Sequence, residues 1–237
     1  MRRVAGALVA ATLALLAGCD SLPGRPTPDQ RYVRPEQVTD FATLYGQNCS
    51  GCHGADGRLG PAHPLNDPLY LALADDADLI RVTSRGVAGT TMPAFALSAG
   101  GTLTDAQIAA LVREMRARWA RPLDVAGVSL PAYAAPLGDV QRGAAAYAQA
   151  CASCHGAEGA GVAGKAKGSI VDGSYLALVS DQGLRTTVIA GRNDLGMPDF
   201  RGAAGGAPLT ATQVADVVAW LAAQRPAFPG SPYPETN

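Results

Sequence analysis

Two six-residue stretches, Cys49-Ser50-Gly51-Cys52-His53-Gly54 and Cys151-Ala152-Ser153-Cys154-His155-Gly156, hold four of the five cysteines in the chain. Cysteines at i and i+3 fall on one face of a helical turn. Both sulfurs can therefore form thioethers with the two vinyl groups of one haem, and the histidine that follows can reach the iron as proximal ligand. Two other readings of C-x-x-C fit less well. A dithiol redox pair has no use for a fixed histidine next door, and a structural zinc site needs four ligands. Two complete copies point to two covalently bound c-type haems, attached at Cys49 and Cys52 and at Cys151 and Cys154, with His53 and His155 on the irons.

The opposite face of each iron decides the chemistry. An open position permits catalysis, whereas a second strong protein ligand favours electron transfer. Met92 lies 39 residues after His53 and Met197 lies 42 after His155; each precedes proline, with phenylalanine at +3. Methionine is usually a gap-filler in a core, but a gap-filler need not recur at one position in two copies. Met92 and Met197 are therefore expected as the second axial ligands. Met115 falls on an apolar helical stripe and is expected in the core. His63 sits in a Gly/Pro loop ten residues after His53, too near to reach round the macrocycle, and is expected to play a loop or surface role. A soft thioether favours ferrous iron. Both haems should then be high-potential and closed to exogenous ligands, which suits relay of single electrons and leaves no catalytic residue to assign.

The elements that must hold these residues recur as well. The Cys-His motifs are offset by 102 residues. Asp67…Tyr70-Leu71-Ala72-Leu73 matches Asp172…Tyr175-Leu176-Ala177-Leu178 at 105, as do Gly86 with Gly191 and Met92-Pro93-x-Phe95 with Met197-Pro198-x-Phe200. Leu103-Thr104-x-x-Gln107 matches Leu209-Thr210-x-x-Gln213 at 106. Five landmarks in one order mean one fold used twice. In each copy a short helix leads into the haem motif, for example with Phe41, Leu44 and Tyr45 on one side. Two further helical patches follow, then the Met-Pro loop, where proline disfavours helix before it. A capping-box helix closes the module, and in the first copy it carries Ile108, Leu111, Val112 and Met115 on one face. The expected organisation is 37–121 for the first domain, a Pro-containing linker at 122–138, 139–225 for the second domain, and a Pro-rich tail at 226–237. Arg85 and Arg192 flank the paired glycines and are candidates for haem propionates. Tyr70 and Tyr175 fit a core or a haem-side position equally, and Lys165 and Lys167 fit a solvated loop or a docking edge.

The N-terminus reads as an address. Arg2-Arg3 precede an apolar run, Val4 to Ala17, too short for an ordinary spanning helix. The run ends in Leu16-Ala17-Gly18-Cys19, which resembles the lipobox of bacterial lipoproteins; an ordinary signal peptide or an uncleaved anchor are the alternatives. The resemblance implies cleavage of residues 1–18, lipidation of Cys19, and a proline-rich tether over 19–36. Asp20 resembles the residue that retains enterobacterial lipoproteins at the inner membrane. The cysteines are then all accounted for, four on haem and one on lipid. Removing residues 1–18 takes two arginines and no acid, so the formal charge moves from −1 to −3. With no basic excess, nucleic acid is excluded as a partner class. Aromatics are only 5% of the chain, thin material for two protein-only cores, and a haem would supply much of each.

With these residues in view, each module resembles the class I cytochrome c domain. Gly143-x-x-x-Tyr147-x-x-x-Cys151 is similar to that family's N-terminal helix, and Val217-x-x-Trp220-Leu221 to the C-terminal helix that crosses it. The first module departs, with Phe41 at the glycine position and Glu114 where Trp220 stands; its crossing should be repacked, with Trp119 involved. The resemblance implies an all-α fold, two tandem class I cytochrome c domains, and one exposed haem edge in each. It implies a membrane-anchored di-haem cytochrome c facing the periplasm that relays electrons between a membrane respiratory complex and a second cytochrome or oxidase. That complex could be quinol-oxidising, a terminal oxidase or a dehydrogenase. The alternative is a di-haem redox enzyme such as a thiosulfate dehydrogenase or peroxidase. A peroxidase needs an open iron, and both modules supply a methionine.

Overall fold

The computed structural model describes residues 24, 26–27, 30–123, 127–163, 168–202 and 207–226. Residues 1–18, Cys19, Lys165, Lys167 and all but the first residue of the expected tail lie outside them. The chain divides into two compact units, residues 1–38 and 39–237. In the first unit the described segment contains a 3₁₀ turn, Pro35–Gln37, closed by the Val38 N–H on the Pro35 carbonyl.

The second unit is helical, with no strand among the described residues and two isolated bridges, Ala96 with Leu103 and Arg192 with Met197. Its first half contains α1 (Phe41–Asn48), α2 (Ser50–His53), α3 (Pro68–Leu73), α4 (Asp76–Arg85) and α5 (Asp105–Trp119). Its second half repeats that order as α6 (Val140–Ala150), α7 (Ala152–His155), α8 (Gly173–Leu178), α9 (Asp181–Ala190) and α10 (Ala211–Ala222). The starts are set by side-chain caps. Asp40, Asp67, Asp75, Asp139, Asp172 and Ser180 each accept from a backbone N–H of the first turn. Thr104 with Gln107 and Thr210 with Gln213 form reciprocal capping boxes at α5 and α10, satisfying orphan donors that would otherwise cost about 1 kcal/mol each.

Each half has its own core. In the first, Leu44, Tyr45, Leu69, Leu71, Leu79, Ile108, Leu111 and Val112 are buried, and Met115 is among them, as its place on the apolar stripe requires. In the second, Leu176, Ile189, Val214 and Val217 are fully enclosed, with Ala146, Leu184, Val218 and Leu221 packed around them.

The crossing of first and last helix differs between the halves. In the second, α6 meets α10 at Gly143, where an added Cβ would lie 2.0 Å from the Asp216 carbonyl oxygen and 2.8 Å from the Trp220 Cβ. Tyr147 then stacks on Trp220 at 4.1 Å. In the first half Phe41 stands at the glycine position. It stacks on Tyr45 at 5.3 Å, and Trp119 meets both rings edge-on at 5.6 and 5.3 Å. An aromatic cluster thus replaces a close backbone approach, and Trp119 takes the part expected of it.

The segment expected as a linker is fastened to its surroundings where it is described. Pro131 is buried. Arg185, itself buried, donates to the carbonyls of Ala132 and Tyr133, and Gln182 also reaches Tyr133. Gly138 sits against the turn of α10 that carries Asp216, and Asp216 accepts from the Asp139 N–H and from both arms of Arg142. The Arg142 guanidinium, followed by the Asp139 N–H, holds the Asp216 carboxyl below the usual carboxylate range.

Three outcomes are expected. Gly143→Ala should lower unfolding stability by about 1–3 kcal/mol through overpacking. Gly46→Ala, in α1 with open space around it, should raise stability by about 0.5–1 kcal/mol; denaturant titration distinguishes the two. The Asp216 contribution is complete above the unfolded carboxylate value near 3.9 and drains as pH falls through the lower folded value. Stability of Asp216→Asn should therefore be lower at neutral pH and change less steeply below about pH 4.

Candidate haem-attachment and axial-ligand sites

Both Cys-His motifs form the same turn. Cys49 caps the end of α1, and its carbonyl accepts from the N–H groups of Cys52 at 3.2 Å and His53 at 3.0 Å. The Cys151 carbonyl accepts from Cys154 at 3.1 Å and His155 at 3.0 Å. This closes i and i+3 onto one face, as thioether formation to one macrocycle requires. Cys49, Cys151 and Cys154 are half-buried and Cys52 is exposed, and none of the four is in a disulfide. Burial pushes Cys49 and Cys151 up to about 11, with the neighbouring Cys52 and Cys154 adding to it. A redox dithiol needs the opposite, a thiol pulled down towards neutrality.

Glycine ends each motif for a steric reason. Gly54 and Gly156 have φ +81 and +83°, and the chain then folds back on them. A Cβ on Gly54 would lie 1.8 Å from the Arg58 carbonyl oxygen, and one on Gly156 2.4 Å from that of Gly161. The two carbonyls are fastened in the same way, by Tyr45 Oη on Gly54 at 2.8 Å and Tyr147 Oη on Gly156 at 2.6 Å. These tyrosines are positioning residues, a role that motif reading did not assign although it placed both on the helix before the haem motif, four residues ahead of the first cysteine.

His53 is set up as a ligand. Its Nδ1 lies 2.7 Å from the His63 carbonyl. A carbonyl can only accept, so the proton is on Nδ1 and the lone pair is on Nε2. Burial, with Arg192 adding to it, moves the imidazole below the ordinary histidine range and keeps it neutral, which a metal ligand requires. This is the outer-sphere hydrogen bond typical of metal-bound histidine. His63 thus serves through its backbone. Its ring departs from the expected surface role: it packs edge-on against Tyr70 at 4.8 Å with both nitrogens enclosed, and burial pushes it down to about 3. Tyr70 is buried while Tyr175 is 38% exposed, so these paired tyrosines differ in role.

The methionine loops share one device. Helices α4 and α9 end at Gly86 and Gly191, with φ +65 and +73°. A Cβ there would lie 2.5–2.7 Å from the backbone of Met92 and Pro93, or of Met197 and Pro198. The chain leaves each helix and returns six residues later to cover its end. Val87 donates to the Met92 carbonyl at 3.0 Å, and Arg192 to the Met197 carbonyl at 3.0 Å. Both methionines are half-buried on these loops.

The cysteine pair, the Nε2 lone pair of His53 and the two glycine-closed turns suit a covalently held haem. Residues 36–113 and 138–221 match the family described as Cytochrome C oxidase, cbb3-type, subunit III. The chain belongs to that family. It is an electron-transferring cytochrome c, with c-type haem held covalently. A curated relative, the Cbb3-type cytochrome c oxidase subunit CcoP of Azospirillum sp. (strain B510), is 32% identical over 135 residues, 52% of this chain and 41% of the relative. The chain therefore spans about two fifths of that relative's length. A solved structure, the Kuenenia stuttgartiensis reducing HAO-like protein complex Kustc0457/Kustc0458, aligns over 82% of this chain and 100% of its own at 18% identity and TM-score 0.46. The all-α fold of two tandem cytochrome c domains that the resemblance implied is the fold observed.

Gly191→Ala would force a side chain into a φ where L-residues are strained and into two carbonyl oxygens at once. A loss of about 1–3 kcal/mol is expected. Gly196→Ala, at φ +80° with open space around it, should cost about 1–2 kcal/mol from conformation alone. Only Gly191→Ala should also displace the Met197 loop that packs on it, read as faster hydrogen exchange of the Arg192 and Met197 amides.

Proposed function

We propose that this cytochrome c carries two haems and relays single electrons outside the cytoplasm. One haem is attached through Cys49 and Cys52 with His53 and Met92 on the iron. The other is attached through Cys151 and Cys154 with His155 and Met197. The observation that carries this reading is the duplicated geometry: in both halves a tyrosine fastens the glycine after the haem motif, and a glycine-ended helix holds a methionine loop closed. A bound c-type haem supplies a one-electron ferric/ferrous couple. The chain's own residues would hold it in place, and the Met92 and Met197 sulfurs on the irons would raise its potential and leave no position for a substrate. The protein therefore acts as a carrier without a catalytic residue.

Its partners in this reading are redox proteins at a membrane. The CcoP relative is named as a subunit of a cytochrome c oxidase, which favours a terminal oxidase as one partner over a quinol-oxidising complex or dehydrogenase. Lipidation of Cys19 would hold the chain at the periplasmic face of the membrane, since two or three acyl chains give stable attachment where one is marginal. No helix among the described residues is long and apolar enough to cross a membrane.

Three measurements test the proposal. A pyridine haemochrome assay should give two haems per chain, and one haem would sink the two-site reading. Met92→Ala and Met197→Ala should each open one iron to carbon monoxide and lower one potential by at least about 60 mV, a tenfold change for a one-electron couple. Unchanged redox titrations would refute the ligand assignment. Cys19→Ala should move the protein from the membrane pellet to the soluble fraction.

A further inference from the structure

The two halves are joined at a point that the repeat does not share. After the glycine that ends α9, the second half carries Arg192-Asn193-Asp194, leading to Met197. The first half has Val87-Ala88-Gly89 at the equivalent positions. Only the first set reaches across. Arg192 forms a two-armed ion pair with Asp194, Nε to Oδ1 at 2.9 Å and Nη2 to Oδ2 at 2.9 Å, with 14% and 5% of the side chains exposed. From there Arg192 Nη2 donates to the Gly60 carbonyl at 2.9 Å, and Asp194 Oδ2 accepts the Leu59 N–H at 2.9 Å. Asn193 adds a bond to the second carboxylate oxygen of Asp67, the cap of α3.

What these residues grip is the back of the first haem motif. A Cβ on Gly60 would lie 2.2 Å from the Cys52 carbonyl oxygen and 2.7 Å from the His53 carbonyl carbon. Leu59 beside it is the one non-glycine among the described residues at positive φ, +63°, with its side chain 66% exposed. Such a conformation costs a residue with a Cβ about 1–2 kcal/mol and persists where surrounding contacts over-determine it; the cross-module bond from its N–H is such a contact. On the other side, the Arg192 backbone is paired in both directions with Met197, at 3.0 Å each way. One residue thus bonds the loop under the first axial histidine and the loop of the second axial methionine.

We propose that Arg192 and Asp194 are positioning residues that join the two modules: the second module lends the first a buried, mutually compensating charge pair that locks the Met197 loop onto the His53 loop without a net field at the first haem. The equivalent loop of the first half closes on Met92 through the Val87 N–H with no charged residue at these positions, so the pair is not needed to close a methionine loop and serves the junction. Opposite charges side by side contribute little field together. Either one alone, buried next to the first haem motif, would shift the ferric/ferrous balance there, because ferric iron carries the extra positive charge. The Arg192 charge is within electrostatic reach of both His53 and His63, where it adds to the effect of burial. The proposal rests on haem at both motifs, and the haem count is read first so that the two can fail separately.

The test uses the full-length holoprotein with two haems confirmed. Asp194→Asn leaves Arg192 alone and should raise the first haem's potential; Arg192→Gln leaves Asp194 alone and should lower it. Each should move the ferric/ferrous ratio at fixed ambient potential by about tenfold, the scale of one partly shielded charge. The double variant should return close to the starting value. Spectroelectrochemical titration in a Met197→His background, which moves the second haem away, assigns the shifts. Asn193→Ala removes a lock contact without leaving a charge; it should speed proteolytic cleavage within 122–138 and leave the potential in place. Opposite shifts with recovery in the double variant support the proposal. Two-haem proteins whose first potential stays put, or moves the same way in both single variants, overturn it. If either single variant fails to take up two haems, the double variant with Asn193→Ala decides: equal proteolysis rates to the parent protein would overturn the lock.

Discussion

A turn that leaves no room for a side chain is the constraint on which the rest of this structure depends. Each candidate ligand is delivered by a chain that reverses on itself at glycine: Gly54 and Gly156 behind the histidines, Gly86 and Gly191 behind the methionines. The contacts at these points are backbone to backbone, at distances where a Cβ would overlap an oxygen. Closely packed interiors deform little, so a reversal held by main chain fixes the ligand loops more rigidly than side-chain packing could. The tyrosine hydroxyls on the Gly54 and Gly156 carbonyls hold the first pair of reversals shut, and the Val87 and Arg192 N–H groups do the same for the second.

Around these fixed points the two halves diverge. The second brings its first and last helices together at Gly143, backbone against backbone, with Tyr147 stacked on Trp220. The first cannot, because Phe41 occupies that place, and it fills the gap with Phe41, Tyr45 and Trp119. Both solutions hold the tyrosine that fastens the haem-motif glycine. The crossing varies and its product does not.

The junction between the halves turns the duplicate into a pair with a direction. The methionine loop of the second half faces the histidine loop of the first, through Arg192, Asn193 and Asp194. The segment 131–138 lies along α9 and α10 of the second half. For a chain in the cbb3-type subunit III family, whose trade is electron transfer, a fixed mutual placement of two sites matters more than the stability of either.

The sequence by itself determined which residues could meet a haem, because covalent attachment demands cysteine and histidine at fixed spacing whatever surrounds them. The repeat landmarks, the capping boxes and the core stripe with Met115 were legible for a similar reason, since each is a local rule of helix geometry. The departures at Phe41 and Glu114 announced a different crossing in the first half. Tertiary structure alone decided that the His63 backbone orients His53, that the His63 ring is enclosed against Tyr70, and that Arg192 bonds a carbonyl of the other module. Those facts join residues between 7 and 132 positions apart, and a backbone carbonyl has the same identity at every position. Periodicity and motif spacing report on neighbours along the helix, whereas the partner of a carbonyl is chosen by where the chain returns.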